Sequence, residues 1–146
     1  MTRAFEENIP KHFSFLIDKF DFSLISLSST SAIFSSKICT IKVIQDRYQV
    51  SIDVGPNSTP AKWFDLGVIT AYLTKQTGAG EWVYEIPRGM TVSKAIEQQI
   101  SKLANILEEY IPQIIPLFRE KVFLHIEQDL TAFWKKRTEA FLKNQA

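Results

Sequence analysis

Phe5, Ile9, Phe13, Leu16 and Phe20 recur at spacings of three and four, the period of one helical face, while Glu6, Glu7, Lys11 and Asp18 lie mainly off it. A helix capped by Asn8 is predicted, with Pro10 in its first turn where a missing N–H is harmless. The period then falls to two. Serine-rich "SLISLSS" and "AIFSSK" are followed by "ICTIKVIQ", where Cys39, Ile41 and Val43 alternate with Thr40 and Lys42. In "QVSIDV", Val50, Ile52 and Val54 alternate with Gln49, Ser51 and Asp53. Period two with β-branched content predicts half-buried strands, and the short links predict antiparallel pairing in a four-stranded meander.

Gly55–Pro60 breaks the last strand, and Asp65 opens a second helical pattern in which Leu66, Ile69 and Leu73 share a face. After the Gly78-Ala79-Gly80 loop, "EWVYEIP" reads as extended. From Ser93, a predicted cap, Ile96, Ile100, Leu103 and Leu107 form a stripe. Pro112 and Pro116 either kink this helix or separate two, and Phe123, Ile126, Leu130, Phe133 and Phe141 mark the last one. No composition shift divides the chain, so residues 1–146 are expected to form one α+β domain, with the N-terminal and C-terminal helices on one face of the sheet.

Composition narrows the function. A chain of 146 residues with 45% hydrophobic content has the material for one core. Its formal net charge of +1 offers no large field to draw nucleic acid or an anionic membrane. The single cysteine suits a reducing compartment, and the opening residues lack the apolar block of a leader or an anchor, so a cytoplasmic location is expected.

Chemistry is sparse. His12, His125 and Cys39 show no metal-ligand spacing, and Cys39 falls on the inward face of a strand, where cysteine serves as a small hydrophobe. No phosphate cradle or nucleophile elbow is present, so no cofactor and no metal are expected. Glu108-Glu109 and Glu127 with Asp129 read as solvated helix positions. Lys135-Lys136-Arg137 and Lys143 complement the negative end of the last helix, with Trp134 beside them as the one nucleic-acid feature.

Asp46-Arg47 lies where a hairpin must reverse, and Asp65 reads as a helix cap preceded by the anchoring pair Trp63-Phe64. Turns do not require arginine, nor loops tryptophan, and both residue types dominate interface hot spots. Arg47, Tyr48, Trp63 and Trp82 are therefore the candidate partner-binding residues.

In Phe20 and Phe22, Asp46-Arg47, and Trp63-Phe64-Asp65-Leu66, the first half of the chain resembles a group of short bacterial α+β proteins of unassigned activity. Those proteins commonly carry glycine after Asp-Arg, where this chain has Tyr48. Some proteins of this size and organisation are similar to immunity proteins that neutralise a neighbour's toxin. The resemblance implies a non-enzymatic protein-binding module acting by steric docking. Two alternatives stand beside it. One is a small-ligand protein or enzyme whose site draws on Trp63, Trp82, Tyr84, Glu85 and Arg88, and the other is a homodimer through the C-terminal helices.

Overall fold

The computed structural model describes residues 4–57, 62–75 and 88–145. The first helical stripe forms two helices, α1 (Ala4–His12) and α2 (Ser14–Phe20), joined at Phe13. The Asn8 cap expected from sequence is not formed. Pro10 lies inside α1, and the Asn8 amide instead donates back to the Ala4 carbonyl at 2.8 Å. Helix formation starting at Ala4 carries Phe5 into the core along with Ile9, and the chain breaks after Pro10 rather than before it. Asp21 ends α2 in the left-handed conformation, with φ of 62°.

The meander follows: β1 (Ser23–Leu27), β2 (Ser31–Ser35), β3 (Cys39–Asp46) and β4 (Gln49–Pro56). A fifth strand, β5 (Phe64–Asp65), adds to the four expected; the sheet order is β1-β2-β3-β4-β5 and every pairing is antiparallel. Ala32, Phe34, Cys39, Ile41, Val43, Val50, Ile52 and Val54 all face inward and are buried, as strict alternation requires. On the edge, a register shift between Leu24 and Ser26 puts Ile25 in a bulge, 62% exposed. A bulge at a sheet edge discourages pairing with another chain.

Helix α3 (Leu66–Thr74) is capped by Asp65, whose carboxylate accepts from the Gly67 N–H at 3.2 Å. Helix α4 (Val92–Leu117) begins two residues earlier than the expected Ser93 cap, with Thr91 accepting from the Lys94 N–H at 3.2 Å. The sequence left the prolines open, and α4 runs through both: Pro112 and Pro116 are solvent-exposed, so the carbonyls they leave unbonded face water. The chain turns only at Phe118 and Arg119, entering α5 (Glu120–Gln145). The apolar stripe of α4 lies on the sheet together with α1, and α5 packs on α3 through an edge-to-face contact of Phe133 with Tyr72 at 5.4 Å.

One polar side chain is built into this core. Gln99 lies on the α4 stripe between Ile96 and Leu103, and its amide bridges the hairpin backbone. It donates to the Tyr48 carbonyl at 2.7 Å and accepts from the Val50 N–H at 2.9 Å. Asp46 and Gln49 close the hairpin, so the Val50 N–H points away from β3. Strand β5 reaches only Asp53 and Val54, and Gln99 takes over the edge of β4 that β5 leaves open.

Candidate functional site

The four residues proposed from sequence do not form one patch. Arg47 and Tyr48 are the two residues of the β3–β4 turn; Arg47 is exposed with φ of 59°, and Tyr48 is 57% exposed. The left-handed conformation falls on Arg47 rather than on position 48, where the resembling proteins carry glycine. Trp63 lies at the other end of β4, about 23 Å along the strand by seven steps of roughly 3.3 Å. It is half-buried on the outer sheet face, stacked over Gly55, with the Lys42 ammonium 4.4 Å from its ring centroid. Trp82, Tyr84 and Glu85 lie outside the described residues, and Arg88 is exposed.

Around Trp63 the outer face carries charge. Lys42 pairs across the sheet with Asp53, and Asp53 with Asp65. Burial raises the Asp53 carboxyl above its ordinary value, and the Lys42 charge partly offsets that rise. Cys39 lies on the inward face; burial pushes its thiol up to about 11 against a lowering hydrogen bond from Ser36, which makes thiolate chemistry near neutral pH unfavourable. Two of the carboxylates considered from sequence are engaged elsewhere, Glu108 with Lys19 at 3.4 Å and Glu127 with Lys62 at 2.6 Å. The Nε2 atom of His12 is buried without a hydrogen-bond partner among the described residues. Among those residues no group of three His, Cys, Asp or Glu side chains could hold a metal, and no helix is long and apolar enough to cross a membrane.

At the Trp63 end of the sheet, a half-open cleft of about 600 Å³ lies between the β2–β3 turn, the end of β4 and the α4–α5 corner. Asn57 ties two parts of its lining together. The Asn57 amide donates to the Ser36 carbonyl at 2.7 Å, and its oxygen accepts from the Thr40 hydroxyl at 2.6 Å. Ser36 in turn accepts from the backbone N–H groups of Ile38 and Cys39, fixing the turn. One wall is aromatic: Phe118 and Phe123 stack at 5.5 Å, and Phe64 meets Phe123 edge-on at 6.0 Å. Ile38, Pro56 and Leu124 extend the apolar lining, and Lys37, Lys62, Arg119, Glu120 and Glu127 supply the charge.

Leu124 is 70% exposed and continues the cleft onto α5. Beyond it, Thr131, Trp134, Thr138 and Leu142 follow at intervals of seven, three, four and four, along one side of the helix. Trp134 is 50% and Leu142 59% exposed. Thr131 and Thr138 donate their hydroxyls back to the carbonyls of Glu127 and Trp134, at 3.0 and 2.9 Å. With those hydroxyls occupied, the stripe is more apolar than its composition suggests. It spans about 27 Å at 1.5 Å per residue.

Sequence reasoning missed Gln99, the cleft and this stripe. A glutamine on an otherwise apolar face was the available signal for the first. The cleft joins segments distant in sequence, so it leaves no local pattern. The chain thus combines a meander sheet, helices on one face and an amphipathic cleft at one end. No family model, curated protein or solved structure matches it.

Proposed function

We propose that this protein is a non-enzymatic protein-binding module that docks through the exposed side of α5. The observation that carries the reading is the stripe from Leu124 to Leu142. Its spacing is that of a helix laying anchors into a partner's groove, and its centre is a half-exposed tryptophan, the residue type most enriched at hot spots. Fully burying a leucine of this kind contributes about 1.5–3 kcal/mol. The hairpin tip, Arg47 and Tyr48, is a second candidate contact, held in place by Gln99. Toxin neutralisation is the specific form implied by the resemblance, with the partner blocked sterically. Self-association along the same stripe is the homodimeric form.

Affinity capture from native lysate and sedimentation of the purified chain test this together, comparing wild type with Trp134→Ala and Leu142→Glu. Both positions are exposed, so folding and melting temperature should be unchanged, while partner recovery or dimerisation falls at least tenfold. A monomer at high concentration whose captured proteins are the same for wild type and both variants refutes the reading.

A further inference from the structure

We infer that the cleft at the α4–α5 corner is a binding site for a single-chain amphiphile with a carboxylate head. Its volume of about 600 Å³ falls within the roughly 300–1,000 Å³ typical of small-molecule sites. The walls come from three separate parts of the fold, and the Asn57 bonds and the Phe118–Phe123 stack hold them without a ligand. Apolar Ile38, Pro56, Phe123 and Leu124 suit an alkyl chain.

The charges select the head group. Lys62 and Glu127 neutralise each other at 2.6 Å, which leaves Lys37 and Arg119 against Glu120, an excess of one positive charge. A monoanion matches that excess. Neither Lys37 nor Arg119 makes an ion pair among the described residues.

Arg119 adds an independent argument. Its carbonyl accepts the first helical bond of α5, from the Phe123 N–H at 2.8 Å, so Arg119 is the N-cap. Serine, threonine, aspartate or asparagine would cap the helix better, and a cation at this end opposes the helix dipole. Helices α3 and α4 follow the ordinary rule with Asp65 and Thr91. A planar guanidinium at the mouth of a cleft binds a carboxylate through two parallel bonds, which lysine cannot do. Its position is poor for the helix and favourable for an anion.

The test is calorimetric titration of the full chain with sodium octanoate, decanoate and dodecanoate below their micelle concentrations, with amide chemical shifts to locate the site. Decanol, decyltrimethylammonium and decyl phosphate are the comparison probes. The expected result is saturable one-to-one binding of at least one carboxylate, with shifts at Ile38, Asn57 and Phe123. Binding should be at least tenfold weaker for decanol, for the ammonium probe, for Arg119→Ser and for Leu124→Glu. Arg119→Ser should melt no lower than wild type, since it installs a better cap, and Leu124→Glu changes an exposed position. No saturable carboxylate binding, equal binding by decanol or by Arg119→Ser, or shifts confined to other surfaces would overturn the inference. So would binding of decyl phosphate where every carboxylate fails. Leu124 belongs to the α5 stripe as well as to the cleft, but Trp134 and Leu142 do not line the cleft, so carboxylate binding retained by Trp134→Ala and Leu142→Glu separates this inference from protein docking along α5.

Discussion

Replacing Gln99 with leucine removes one side chain and orphans two backbone groups, which makes its cost calculable. Leucine is close to glutamine in size, so the cavity contribution is small. The Val50 N–H lies on a buried residue facing α4 and loses its acceptor. An unsatisfied buried donor costs about 1–3 kcal/mol. The Tyr48 carbonyl belongs to an exposed turn, where water can replace the lost donor, so its share is the net worth of one hydrogen bond, about 0.5–1.5 kcal/mol. The total is about 1.5–4.5 kcal/mol. With a urea slope of about 2 kcal/mol per molar, the unfolding midpoint should fall by roughly 1–2 M. Gln99→Glu separates the two bonds. Its carboxylate still accepts from Val50 but faces the Tyr48 carbonyl with no proton, in a buried place. Both effects disfavour the charged form and raise the folded-state pKa above the unfolded value of about 4.3. The penalty is therefore absent below about pH 4 and grows as pH rises through the unfolded value towards the folded one. The gap between this variant and wild type should widen from pH 4 to pH 7. A Gln99→Leu protein within about 0.5 kcal/mol of wild type, or a Gln99→Glu gap independent of pH, would refute the assignment of Gln99 as the clamp on the hairpin.

Two further outcomes follow from the geometry. Cys39 should resist alkylation by iodoacetamide in the native state and react on unfolding. Burial pushes its thiol from the ordinary value of 9.0 up to about 11, so stability falls as pH rises from about 9 to 11, and Cys39→Ala should remove that part of the slope. Gly55→Ala should destabilise by about 1–3 kcal/mol in thermal or urea unfolding, because a Cβ there collides with the Lys62 carbonyl oxygen and presses on the Trp63 ring at 3.2 Å. A neutral Gly55→Ala would mean that the Lys62–Trp63 segment moves aside without loss.

The elements legible in the sequence were those with strong periodicity. Alternation through Cys39–Val43 and Val50–Val54 placed β3 and β4 and their inward residues, and Asp65 capped α3 as its side chain allows. Strand β5 is two residues long, too short for any period to register, and it exists because the β4 edge offers Asp53 and Val54 as partners. The start of α1 departs from the expected Asn8 cap because the apolar stripe outweighs one proline: burial of Phe5 and Ile9 holds the helix together across Pro10. Arg47 and Tyr48 are exposed at the hairpin tip, but joining them to Trp63 required the length of β4, which periodicity alone does not translate into distance. Arg119 carries no local sequence signal, because only the start of α5 beside it makes it a helix cap.

The sequential order of the sheet has a consequence for the growing chain. Each strand needs only its immediate neighbour, so β1 to β4 can pair once residue 56 has emerged, and Phe13 already covers Phe34 at 5.9 Å. The inward side of β3 and β4, with Ile41, Val43, Val50 and Ile52, waits for α4, which ends only at Leu117. At about 5–20 residues per second, ribosomal synthesis leaves that oily surface uncovered for roughly 3–12 s. A nascent-chain chaperone has its natural window there, before the last two helices arrive.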